Sequence, residues 1–321
     1  MEQWFTQLPF FSQQALLFVV IYTIKALVSK GVAHEPLRAF NFYCQQLANK
    51  VNKHQTNSRQ QQVISGAVAI VVTITPLAII LWLFADFVLV PALWQSLLLY
   101  FALGGFNAKS NAFKMAQALT SNLNYKAKQF AQTLLLRKTD NLSPLGLNKA
   151  VVEAQLLHFS QKQFVVAVIF IFLGGLPALI YRLLLEMHQS WNVKQASFAA
   201  FGKPINTLVQ VISWLPTRIL GLMMLMTTLG QNFLLKWRLT KVHFFKLNND
   251  FIVHLLALNT GTQLGGVAMY EGVKLRRSAF NEQGKPCEPN DVIHASKHVM
   301  SLQLFSLTLI VFICALTIVT G

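Results

Sequence analysis

The sequence predicts an all-α fold, a polytopic transmembrane helix bundle of about five or six spans with cytoplasmic helical segments. Three observations carry that prediction. Apolar residues make up 54% of the 321 and charged residues only 12%, about half the charged share of soluble domains. Several apolar runs approach the roughly 20 residues of helix that a hydrocarbon core requires. The basic residues gather in three long segments between those runs. Mean hydropathy is +0.47, and 25 Phe stand against 11 acidic residues. A soluble chain of this size needs more charge to cover its surface; a chain partly faced by lipid does not. That excludes a disordered chain and argues against an ordinary soluble enzyme.

The first span is Ala15 to Val28, with Lys25 expected to snorkel toward the interface. The second, Val63 to Phe84, is the clearest. The third, Val88 to Gly105, has Pro91 in its first turn, where a missing N–H costs little. The fourth, Phe164 to Leu185, carries Gly174, Gly175 and Pro177 at its centre. The fifth, Ile205 to Leu229, is interrupted by Pro216 and Arg218, and the sixth, Leu302 to Val319, has no charge. Residues 1–321 read as a single membrane-embedded domain.

Segments 29–62, 106–163 and 230–301 hold 22 of the 27 Lys and Arg residues. With six spans they fall on one side, and the positive-inside rule makes it the cytoplasm. The expected localisation is multi-pass in a bacterial inner membrane, with short outward connections around Asp86 and Trp191. The N-terminus does not look like a cleaved signal peptide. In the second segment Phe113, Ala116, Leu119, Leu123, Ala127, Phe130 and Leu134 follow helical spacing. The stretch Phe233 to Leu258 mixes aromatic and basic residues, either packed on the bundle or lying among headgroups.

The net charge of +16 fits basic membrane flanks, and no basic stripe interleaved with aromatics stands apart to suggest nucleic acid. Cys44, Cys287 and Cys314 form no C-x-x-C pair, so neither a disulfide framework nor a zinc site is expected. His294 and His298 share helical spacing, but two ligands make no metal site, and none is assigned. Phosphate-loop, dinucleotide and serine-hydrolase signatures are absent.

Two stretches carry chemistry. In Arg137-Lys138-Thr139-Asp140-Asn141-Leu142-Ser143-Pro144, Asp140 or Ser143 caps a helix that starts near Pro144. Adjacent cations and hydroxyls make its start a candidate phosphate site. Glu153, further along among Val151, Val152 and Leu156, suits a base, a metal ligand or the buried partner of an arginine. In the second stretch, Gly265 and Gly266 permit tight turns before Tyr270, and Arg276 and Arg277 follow. This stretch reads equally as a phosphate site or as a turn returning the chain to the membrane.

Taken in order, these blocks resemble the CobD/CbiB and AmpE family of bacterial inner-membrane proteins. His34-Glu35-Pro36 resembles its early H-P element, and Arg137-Lys138-Thr139 with Glu153 its R-D-T…E block. Phe172-Leu173-Gly174-Gly175-Leu176-Pro177 through Tyr181-Arg182 resembles its G-G-x-P…Y-R/K segment. Trp214-Leu215-Pro216-Thr217-Arg218 resembles its W-[IL]-P-[AT]-R element, and Leu264 to Tyr270 its L-G-G-P-A-x-Y turn. The family's cobalamin branch joins the carboxylate of adenosylcobyric acid to aminopropanol phosphate. The resemblance therefore implies a corrinoid substrate, ATP and Mg²⁺, and amide ligation on the cytoplasmic face. It implies Glu153 as the catalytic candidate, with His34, Arg137, Lys138, Thr139, Gly265, Gly266, Tyr270, Arg276 and Arg277 holding substrate or phosphate.

The sequence also departs from that pattern. Lys138 stands where R-D-T has its acid. Ala154 to Ser160 lacks the acids of A-E-N-T-S-D-G, and Leu183 to Met187 lacks the polar set of N-T-L-D-S-M. The alternative is a non-catalytic AmpE-like regulator of β-lactamase induction or cell-wall stress. A transporter is a third reading, suggested by the broken spans and by Arg218.

Overall fold

The computed structural model describes residues 8–28, 37–53, 56–228, 232–270 and 273–320. The helices are α1 (Phe10–Val28), α2 (Arg38–Val51), α3 (Arg59–Ala85), α4 (Pro91–Ala102), α5 (Ala108–Thr120) and α6 (Asn124–Gln132). There follow α7 (Pro144–Phe159), α8 (Val165–Leu173), α9 (Gly175–Ser190), α10 (Lys203–Met226), α11 (Phe233–Thr240), α12 (Asp250–Thr260) and α13 (Pro289–Thr320). Four short strands interrupt this all-α pattern: β1 (Leu264–Gly265), β2 (Ala268–Tyr270), β3 (Val273–Leu275) and β4 (Ala279–Phe280). β1 pairs antiparallel with β4, and β2 with β3. Five helical stretches are long and apolar enough to cross a membrane: Phe10–Val28, Arg59–Ala85, Pro144–Leu173, Lys203–Met226 and Pro289–Val319. The chain is a multi-pass membrane protein.

The chain packs as two compact units, the first of residues 1–106, 161–212 and 304–321, the second of 107–160 and 213–303. In the first unit α3 opens with a capping box, Ser58 Oγ accepting from the Gln61 N–H while the Gln61 side chain accepts from the Ser58 N–H. α4 is 12 residues long, about 18 Å at 1.5 Å per residue, shorter than the predicted span. Its last carbonyls take up Lys25: the ammonium donates to Tyr100 O and Leu103 O, both at 2.5 Å. Lys25 is 4% exposed, so it caps a neighbouring helix C-terminus instead of snorkelling.

The expected fourth span is not one helix. Gly174, at φ +88°, ends α8 and starts α9, a backbone that L side chains rarely adopt. The chain reverses there, and α9 packs back along α8 and against α4. The Gly175 N–H donates to Gln95 Oε1, while the far end of α9 reaches α2, where Trp191 Nε1 donates to Cys44 O at 3.0 Å. The Trp191 connection therefore lies at the α2 end of this unit, not opposite it as the six-span reading required. The apolar core comprises residues such as Phe18, Leu99, Phe170, Tyr181 and Phe201.

In the second unit the predicted helix through Phe113 and Leu134 is two. Asn122 takes the left-handed conformation at φ +57°, and the Leu123 N–H returns to Ala118 O at 2.8 Å, a C-terminal helix stop. Ala116, Leu119 and Ala127 are buried as expected, but Phe113 and Leu123 are exposed. α10 continues through Pro216 without the expected interruption. Arg218, beyond it, donates to the carbonyls of Phe244, Asn248 and Lys246.

Candidate functional site

The site grows from α7 in the second unit. Ser143 caps it, its Oγ accepting from the Gly146 N–H at 3.2 Å, and Pro144 takes the first turn, as the sequence indicated. Three helical turns on, Glu153 emerges on a buried face beside Val152 and Leu156. The β1–β4 pairing brings the glycine turn and the arginine that follows it to this carboxylate. Arg277 donates through Nη1 to Glu153 Oε2 at 2.9 Å and through Nη2 to Oε1 at 3.4 Å. The Gly265 N–H donates to Oε1 at 2.9 Å. The carboxylate is thus met by a guanidinium fork and a backbone donor, an arrangement of charge-assisted bonds. Of the three roles open to Glu153 in the sequence, partner of an arginine is the one the geometry displays.

Gly265 is required by its surroundings. Its φ is +69°, and a Cβ there would stand 2.2 Å from Ser278 O. Gly266 also has positive φ, +81°, but a Cβ would meet nothing within 4 Å; its N–H holds Ser278 O at 3.0 Å. Tyr270 pairs through its backbone with Val273, and its side chain lies outside what is described, as does His34 altogether. Arg276 is exposed next to the clasp.

The Arg137-Lys138-Thr139 block turns elsewhere. Thr139 is buried, its hydroxyl donating to Lys128 O at 3.1 Å and its N–H to Gln132 Oε1 at 3.1 Å. It pins the loop to α6. Arg137 is half-buried and Lys138 exposed.

Sequence reasoning missed three supports of the site. Lys149, one turn before Glu153, donates to Gln263 Oε1 at 3.1 Å, and Asn148 donates to Cys287 O at 3.1 Å. Asp291, 3% exposed, accepts from Lys285 at 2.7 Å. The spacing of Asn148, Lys149 and Glu153 along one helix was visible; their partners, more than a hundred residues away, were not. Burial, with the Asp291 carboxylate adding to it, pushes the Cys287 thiol up to about 12, so this thiol is no nucleophile at neutral pH. Among the described residues no three His, Cys, Asp or Glu side chains gather to hold a metal ion.

Comparison with known proteins agrees with the motif order. The family model described as CobD/Cbib protein matches residues 22–299. A protein of Stutzerimonas stutzeri named cobalamin biosynthesis protein CobD is 25% identical over 256 residues, covering 79% of this chain and 84% of its own. The protein of that name from Chromobacterium violaceum is 25% identical over 209 residues, 65% of this chain and 67% of its own. The one from Halalkalibacterium halodurans is 23% identical over 262 residues, 78% and 82%. No solved structure matches. A match that runs from within α1 through Glu153, the glycine turn and Arg277 into α13 covers both units, and on that ground the chain belongs to the CobD/Cbib protein family.

Proposed function

We propose that the chain serves cobalamin biosynthesis in a bacterial inner membrane, its basic segments facing the cytoplasm, and forms the amide between adenosylcobyric acid and aminopropanol phosphate. The observation that supports this reading is the convergence of Glu153, Gly265 and Arg277 from distant segments, in a chain whose relatives bear the CobD name. Activating a carboxylate with ATP and admitting an amine requires cations that hold phosphate. Arg277 and the exposed Arg276 would supply them. Glu153 would act as a positioning residue that fixes the Arg277 fork, and Gly265 would hold the turn that carries it.

The residues do not fit Mg²⁺. Both Glu153 oxygens accept hydrogen bonds from protein donors, and a divalent cation requires free oxygen ligands. No step is therefore derived through the metal. That same observation favours a second reading, a non-catalytic AmpE-like regulator: the buried acids Glu153, Glu186 and Asp291 are all paired with cations. The deciding experiment supplies the purified full chain with adenosylcobyric acid, aminopropanol phosphate, ATP and Mg²⁺. Amide product by mass spectrometry, and rescue of a strain lacking the synthase, are expected. No product and no rescue, with an altered β-lactam response on deletion, would replace ligation by regulation.

A further inference from the structure

A cavity of about 240 Å³ lies within the first unit, away from Glu153 in the chain and in none of the roles above. It is lined by Arg38, Asn41 and Gln45 of α2, Gly104 beyond α4, and Arg182 and Glu186 of α9. Arg182 and Glu186 sit one turn apart and pair at 2.6 Å, their side chains 7% and 8% exposed. Glu186 also accepts from Asn41 Nδ2 at 3.3 Å. The Nε of Arg182 is buried and has no hydrogen-bond partner among the described residues. A buried guanidinium donor left open is costly, and native proteins supply such groups with a partner.

The charge around the cavity is unbalanced. Arg38 and Arg182 line it, and Glu186 is the one acid among its described lining residues. Two guanidinium groups thus line it against one acid. A planar guanidinium with an open donor, side-chain amides and surplus positive charge match a multiply charged oxyanion.

We propose that this cavity binds a phosphate group carried on a small organic molecule, either a soluble phosphate ester or the headgroup of an anionic phospholipid. Arg182 is the anchor and Arg38 the mouth. The site belongs to the first unit and stands whether or not the chain performs the ligation proposed above.

The test uses the full chain in two arms. In phosphatidylcholine nanodiscs it is titrated calorimetrically with glycerol 3-phosphate, and with succinate as the carboxylate control. In the second arm it is exchanged into detergent with phosphatidic acid and phosphatidylcholine, and retained lipid is read by native mass spectrometry. Saturable glycerol 3-phosphate binding assigns a soluble ester; selective retention of phosphatidic acid assigns a headgroup. The double variant R182Q/E186Q removes both charges together, stranding neither, and is expected to weaken binding at least tenfold. R38Q, at an exposed position, is expected to weaken it about threefold with an unchanged melting temperature. Should the double variant fail to fold, R38Q decides alone. Absence of binding in both arms, succinate binding as well as the phosphate ester, or R38Q binding like wild type would overturn the proposal.

Discussion

Replacing Glu153 by Gln isolates the charge in the Glu153–Arg277 clasp. The amide oxygen still accepts from the Gly265 N–H, and the volume is unchanged. What is lost is the ion pair, whose members are 9% and 26% exposed. Removing one partner of a fully buried pair costs about 3–5 kcal/mol. Arg277 regains part of its hydration through its exposed quarter, which brings the expected cost to about 2 kcal/mol. At roughly 2–4 °C per kcal/mol for chains of this order, the midpoint in detergent falls by about 4–8 °C, read by tryptophan fluorescence. R277Q leaves the carboxylate buried against one backbone donor and costs at least as much. The double variant E153Q/R277Q loses the pair without stranding either charge, so its cost falls short of the sum by about 1–2 kcal/mol. Single variants within 1 °C of wild type, or a strictly additive double, would refute the clasp as an energetic unit. A purely catalytic Glu153 would show that pattern, with activity lost and stability kept.

Four more outcomes follow from the geometry. G265A meets Ser278 O at 2.2 Å in a left-handed backbone, whereas G266A meets open space; both lower stability in a thermal melt, G265A by about 2 kcal/mol more. His254 is pushed down to about 4 by burial and then by His243, so it is neutral in the folded state. The unfolded chain takes up the proton first, so stability is lost as pH falls from about 6.5 toward 4. Discounted for its part exposure the loss is about 1 kcal/mol, and H254Q flattens that acid limb of midpoint against pH. R218K cannot reach the carbonyls of Phe244, Asn248 and Lys246 together and costs about 2–3 kcal/mol in the same melt. K194C and K50C label with an impermeant maleimide from the same side of the membrane and D86C from the other; because the native cysteines are buried, background is low, and K194C labelling alongside D86C would sink the hairpin at Gly174.

The clearest local signals in the sequence correspond to structure that local forces decide. Ser143 and Pro144 start a helix because a cap and a fixed φ act within one turn. The run from Val63 to Phe84 carries no charge and needs no partner to be recognised. Gly174 was visible too, but apolar content is the same whether a helix kinks or reverses there. Only the contacts of Gly175 with Gln95 and of Trp191 with Cys44 distinguish the two. The helical phase from Phe113 to Leu134 runs on across Asn122, so periodicity alone could not see the stop. Glu153 was marked as a candidate, yet its partner Arg277 lies 124 residues away, and composition carries no information about such a pairing.

The reversal at Gly174 decides which helix ends of the first unit lie together. In the first unit α1 runs from Ser12, which bonds Thr317 at 2.8 Å, to Lys25 at the α4 C-terminus. α3 leaves from the α2 end, α4 returns, α8 leaves beside Gly104 and α9 returns to α2. The last turns of α13 end beside Ser12 again. Within the first unit α8 and α9 are thus two antiparallel runs in place of one. A lone apolar run must be long enough to cross lipid by itself, but a hairpin packed on α4 shares its burial with neighbours and can be shorter. The short α8 and the polar Arg182–Glu186 turn of α9 fit such a protected position, which a solitary span facing lipid would not allow.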